Sequence, residues 1–265
     1  MNLVQIERVA AEVLTGHDCK DAPIDIFGIA RAEGIELGSG AYGNDFSGRI
    51  EYHRGVGKFL LFHPDPDQSL YPTRVRFSVA HELGHYFLEH HREQLLAGAA
   101  HNSTSDFICD DVLEREADEF AAALLIPHFA LKVRLAKRSF MTLAEVLKLA
   151  EVWQSSATSA GIRYAKYTRE ACVMILSEKG KVLFWVPSEE AVALGFKFIA
   201  RDRLVPAGVP TAKASAAGHG ETGVRGGGVS SELWFPDRFR QTDLWEDACP
   251  LGGTGRVLTL LSLNN

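Results

Sequence analysis

His81-Glu82-Leu83-Gly84-His85 follows Phe77-Ser78-Val79-Ala80 and precedes Tyr86-Phe87-Leu88. On a helix, two histidines four residues apart are separated by about 40° around the axis and roughly 6 Å along it. Both imidazoles can therefore reach one metal ion from one face. Glu82, next to the first histidine, suits a general base toward a water that zinc activates by lowering its pKa toward about 7. The five residues alone are a weak signal, because a helix rich in His and Glu produces them by chance. The flanks strengthen it: Phe77, Ala80, Leu83, Gly84, Phe87 and Leu88 mark a mostly buried helix, in which two imidazoles and a carboxylate are costly unless partnered.

A catalytic zinc takes three protein ligands and keeps an open position. The tempting third ligand is His91, which with His81 and His85 imitates a three-histidine pattern. That pattern needs a glycine three residues after the second histidine to turn the chain back, and this position holds Leu88. The helix is expected to continue, carrying His91 about 15 Å along the axis from His81 and leaving His90 and His91 on an exposed helix end. His91 is rejected on that basis. The better source is a second helix over residues 111–127, with Leu113, Ala117, Phe120, Ala121, Leu124 and Leu125 as its apolar stripe. Glu114 and Asp118 share a neighbouring face, four residues apart. Glu114 is placed to be the third ligand, and Asp118 to accept a hydrogen bond from a ligand histidine's other ring nitrogen. Glu116 and Glu119 point to other faces and read as solvated charges, with Glu116 the reserve ligand.

Composition narrows the rest. The 265 residues are 46% hydrophobic and 23% charged, with a formal net charge of −6, so bulk charge gives no reason to expect nucleic-acid binding. Cys19, Cys109, Cys172 and Cys249 are widely spaced and suit free thiols in a reducing compartment. No run of about 18 apolar residues and no signal-peptide order occur, so a cytoplasmic protein is expected.

The expected fold class is α+β. A domain over 1–130 is expected to combine helices with a small sheet carrying a β-hairpin edge; residues 46–52 and 58–62 form the hairpin, and 46–52 is the candidate substrate edge. Thr73 is the expected N-cap of the metal helix. Arg74 and Arg76 near its start oppose the helix dipole and should pair with acidic side chains. Gly38-Ser39-Gly40 and 98–108 read as loops. A helix-turn-helix-like segment over 131–168 offers Arg163 as the one arginine of its last helix, too little for DNA recognition, so packing against protein is favoured. A β-rich domain over 169–265 has strands at 172–176, 182–186, 196–199 and 256–261. Residues 206–231 are expected to be a flexible loop, with His219 a solvated loop histidine. Trp234, Phe235 and Trp245 are read mainly as core. The donor for a tetrahedral oxyanion is open among Tyr71, Tyr86 and a C-terminal side chain.

The blocks 74–85 and 114–127 together resemble the ImmA/IrrE family of metallopeptidases, which are similar to gluzincins. The resemblance covers about residues 20–165; it implies a zincin-like fold for the domain over 1–130, and relatives of this kind suggest a sensor or partner-binding module for the region over 169–265. It implies metal ligation by His81, His85 and Glu114, with Glu82 as the catalytic glutamate. It also implies zinc, with manganese as the alternative metal in the cell, and an endopeptidase that cleaves a cytoplasmic Xre-type helix-turn-helix repressor to relieve repression of stress or mobile-element genes. The alternative from another class is a metal-bearing regulator that controls a transcription factor by contact without cutting it. A protein substrate is the expected partner; membrane and direct DNA binding are not expected.

Overall fold

In the computed structural model the described residues are 1–40, 47–67, 69, 71–98, 101–103, 111–137, 140–196, 199–216, 223–236 and 241–263. Cys109, Phe46 and His219 lie outside them. The chain divides into two compact units, Met1–His128 with Val152–Ser156, and Phe129–Glu151 with Ala157–Asn265.

The first unit opens with α1 (Leu3–Gly16) and α2 (Ile26–Ala32). A reciprocal capping box between Asn2 and Gln5 starts α1, and Ile6, Ala10, Val13 and Leu14 are its buried stripe. Next come β1 (Glu36–Gly40), β2 (Gly48–His53) and β3 (Lys58–Pro64). They are followed by α3 (Pro72–Phe87), α4 (Glu89–Ala97), β4 (His101–Ser103) and α5 (Val112–Leu125). The sheet order is β1-β3-β2-β4, with β1 parallel to β3 and the other pairs antiparallel. Ile50 of β2 sits opposite Leu61 of β3, both fully buried, and α3 packs against these two strands, against α2 and along α5.

Three expectations change here. Gly38-Ser39-Gly40 belongs to β1, because a parallel partner, β3, takes up its backbone groups. The hairpin forms, but β2 is not an open edge: β4, drawn from a segment read as loop, pairs with it over Gly48–Ile50. Tyr71, not Thr73, caps α3 without a side-chain bond, because Pro72 occupies its first turn, where its fixed φ and missing N–H are tolerated.

The second unit contains α6 (His128–Lys137) beyond its first residue, α7 (Leu143–Val152) up to Glu151, and α8 (Ala157–Tyr167). It continues with β5 (Cys172–Glu178), β6 (Lys181–Pro187), α9 (Glu189–Ala193), α10 (Pro210–Ala216), β7 (Arg225–Ser230), α11 (Ser231–Trp234), β8 (Asp243–Pro250) and β9 (Arg256–Leu263). The five strands run β6-β5-β9-β8-β7, antiparallel throughout. α8 lies on β5, and α10 on β8 and β9. Arg163 is wholly buried, its guanidinium 4.7 Å from the centre of the Tyr167 ring, so it offers nothing to a phosphate.

The segment 206–231 is not a structureless loop. Its described parts hold α10 and β7, the latter paired with β8 from Arg225 to Ser230. Gly226 is required by its neighbours on β8: a Cβ there would meet Asp247 Oδ1 at 2.7 Å and the Trp245 ring at 3.0 Å. Phe196 and Ile199 are core residues outside any strand; Trp234 and Phe235 are core as expected, whereas Trp245 is 39% exposed. At the centre of the unit, Glu246 of β8 is fully buried. It accepts hydrogen bonds from Thr211 N, Thr211 Oγ1 and Trp234 Nε1, each at 2.7 Å.

Candidate metal centre

The site lies where α3 crosses α5. Gly84 makes the approach close: a Cβ there would stand 3.1 Å from Ala117 Cα and 3.3 Å from Ala117 O. Backbone so near on α5 brings the turn holding Glu114 within reach of the α3 histidines. Asp111 fixes the start of α5, its carboxylate accepting from Leu113 N at 2.8 Å.

His81, Glu82 and His85 are 5%, 0% and 3% exposed. His81 Nε2 and His85 Nε2 are 3.1 Å apart. Glu114 Oε2 lies 3.3 Å from the first and Glu114 Oε1 3.6 Å from the second. Donor atoms about 2.0–2.2 Å from one ion at tetrahedral angles stand about 3.3 Å apart, so the three fit the edges of one coordination tetrahedron. Two imidazoles and a carboxylate also form a donor set suited to zinc. Asp118 Oδ1 is 2.8 Å from His81 Nδ1, the nitrogen turned away from Glu114. Burial alone would lower the His81 pKa. The hydrogen bonds to Asp118 and Glu114, with the charges of Glu82 and Asp118, outweigh it and raise the value to about 10.

The expectation for the end of the metal helix is corrected. α3 stops at Phe87, and Leu88, fully buried, takes an extended conformation with φ −78° and ψ 113° before α4 begins. No glycine is needed for this break, because burial of Leu88 stabilises an ordinary extended backbone. The break turns His91 inward: it is 2% exposed, its Nδ1 3.0 Å from His85 Nδ1. It stands behind His85, on the side away from Glu114, and is not grouped with the three converging donors.

Glu116 is likewise not a solvated charge. It is 5% exposed, and its Oε2 lies 3.1 Å from His91 Nε2 and 2.6 Å from His90 Nε2. Its Oε1 is paired with the Met1 ammonium. His90, His91 and Glu116 thus form a second cluster of metal-compatible groups. The alternation of Glu114, Glu116 and Asp118 along α5, together with the adjacent histidines, was the only sequence signal for it. Glu119 is half-buried.

Arg76 is compensated differently from the expected ion pair. Its Nη2 donates to Ile24 O at 2.7 Å and its Nε to Gln154 O at 3.1 Å, and burial lowers its pKa. Of the oxyanion candidates, Tyr86 donates its hydroxyl to Glu33 at 3.1 Å and lies under Arg92, while Tyr71 is 55% exposed at the start of α3.

Three donors converging from two buried helices define a candidate zincin-like metal centre on an α+β scaffold. Residues 67–164 match the family model Peptidase_M78, described as the IrrE N-terminal-like domain, and the resemblance to the ImmA/IrrE family holds over that stretch, which includes both helices. No curated protein matches the chain. A solved structure described as a Mycobacterium tuberculosis transcriptional regulator resembles it with a TM-score of 0.64 at 15% identity, over 98% of this chain and 76% of that one. At that identity the likeness is one of fold.

Proposed function

We propose that this chain is a zinc-dependent endopeptidase of the cytoplasm that cleaves an Xre-type helix-turn-helix repressor and so relieves transcriptional repression. The observation that carries the reading is the convergence of His81 Nε2, His85 Nε2 and Glu114 at 3.1 to 3.6 Å beside the wholly buried Glu82, inside a segment matching a peptidase family. The regulator that shares the fold is consistent with work in transcriptional control. No helix among the described residues is long and apolar enough to cross a membrane.

His81, His85 and Glu114 hold the ion, with manganese as the alternative metal in the cell. When bound, the metal supplies Lewis-acid polarisation of the scissile carbonyl and a lowered pKa for water. The Glu82 carboxylate takes the proton of the attacking water and passes it to the leaving amine nitrogen. Asp118 orients His81 through Nδ1 and keeps its Nε2 aimed at the site.

The test is to incubate the zinc-loaded full chain with the Xre-type repressor encoded beside its gene. Cleavage lost in Glu82→Gln and on chelation supports the proposal. Intact repressor, with binding and derepression that survive Glu82→Gln, overturns it in favour of a regulator that acts by contact.

A further inference from the structure

We infer that His91 and Glu116 form a positioning chain for His85, and that this chain excludes the second cluster, His90, His91 and Glu116, as a metal site while His85 holds an ion. The inference rests on the metal reading of His81, His85 and Glu114.

A neutral imidazole carries one proton. If His85 ligates through Nε2, its proton sits on Nδ1. His91 Nδ1, 3.0 Å away, must then accept that N–H with its lone pair. The His91 proton is thereby confined to Nε2, which faces the Glu116 carboxylate at 3.1 Å. Glu116 Oε2 is the acceptor placed for that N–H. One sequence of donors results: His85 Nδ1–H to His91 Nδ1, and His91 Nε2–H to Glu116 Oε2. Every polar atom along it is used, in a place where His85, His91 and Glu116 are all at most 5% exposed.

The same count decides the second cluster. A metal bound there would need the lone pair of His91 Nε2. With Nδ1 already accepting from His85, His91 would then hold no proton and become an anion. Two ions could sit at the two clusters together only at that cost, so the clusters compete for one lone pair. His91 is a positioning residue: it fixes the ring plane and tautomer of His85, as Asp118 does for His81. Outer partners of metal-bound histidines typically contribute about 10–100-fold in metal affinity.

The test uses the full chain and reads zinc rather than peptidase activity. Nitrogen-15 spectra of the zinc-loaded protein should show His85 with its proton on Nδ1 and His91 with its proton on Nε2. Elemental analysis should give one zinc per chain, unchanged in His90→Ala. His91→Phe should weaken zinc binding by about 10–100-fold, while His91→Gln, whose amide oxygen can accept from His85, should recover part of the loss. If His91→Phe does not fold, Glu116→Gln should weaken zinc by a smaller factor with the same tautomers. A His91 proton on Nδ1, two zinc ions per chain with one lost in His90→Ala, or unchanged affinity in folded His91→Phe overturns the inference. Full zinc binding in His81→Ala would instead remove the underlying metal site, a failure distinct from these.

Discussion

Asp118 Oδ1 stands 2.8 Å from His81 Nδ1, one turn along α5 from Glu114, which faces the opposite nitrogen of the same ring. One helix therefore presents both the candidate third donor, Glu114, and the carboxylate that faces the other nitrogen of His81. Asp118→Ala should weaken zinc binding by about 10–100-fold without preventing folding, because the Asp118 side chain is 43% exposed. Competition with a chromophoric chelator measures this; unchanged affinity would show that packing alone holds the His81 ring.

The charge state of His81 makes metal uptake depend on pH. Its pKa is raised from 6.5 to about 10 in the metal-free fold, so the imidazolium stabilises that fold fully below about pH 6.5. This contribution is lost as pH rises through about 10. Zinc needs the neutral ring, so binding at pH 7.5 should release about one proton from His81, and affinity should rise with pH across this window. Calorimetry in two buffers of different ionisation enthalpy counts the proton; no release at pH 7.5 would contradict the charged state.

Gly84 is required by the spacing of α3 and α5. In Gly84→Ala the new methyl meets Ala117 backbone at 3.1 and 3.3 Å, atoms that cannot swing aside. Overpacking costs about 1–3 kcal/mol, against a gain of about 1 kcal/mol from helix propensity. A net loss of about 1 kcal/mol in urea unfolding is expected, with weaker zinc binding as Glu114 is pushed back. A stabilised variant with normal zinc affinity would refute the close-approach argument.

Arg76 ties α3 to two carbonyls distant in sequence, Ile24 O and Gln154 O. Arg76→Met should lose about 2–4 kcal/mol, since both acceptors lose a charged donor. Arg76→Lys should recover little, because an ammonium cannot reproduce the planar fork. Denaturant midpoints compare the two; a lysine variant as stable as the parent would mean that charge alone matters.

In the second unit, Glu246→Ala leaves Thr211 and Trp234 donors without their acceptor. A loss of about 3 kcal/mol or more is expected, with Glu246→Gln intermediate because one acceptor oxygen remains. Thermal unfolding followed by tryptophan fluorescence reports it; a Glu246→Ala protein of parental stability would show that water replaces the carboxylate.

The grouping of His81, His85 and Glu114 in the candidate metal centre was largely legible in the chain because it obeys helical arithmetic. The spacing His81 to His85 and Glu114 to Asp118, each four residues, assigns side chains to faces without any knowledge of what lies opposite. The same arithmetic misplaced His91, since it assumes that a helix runs on until a known breaker appears. Leu88 is no breaker by composition, and only its burial explains the extended backbone. β4, β7 and β8 were missed for a related reason: a polar triplet and a glycine run become strands when β2 and β8 offer them partners, and β8 itself is held between β7 and β9.

The sequence by itself determined the two metal-helix faces, the apolar stripes that bury them, and the residue types able to hold and activate a metal ion. Those features depend on local periodicity and side-chain chemistry. Tertiary structure decided that α3 and α5 cross at Gly84 and Ala117, that β2 is paired on both sides at its start, and that His91 and Glu116 back His85. Such relations depend on which surfaces meet across tens of residues, where burial outweighs local preference.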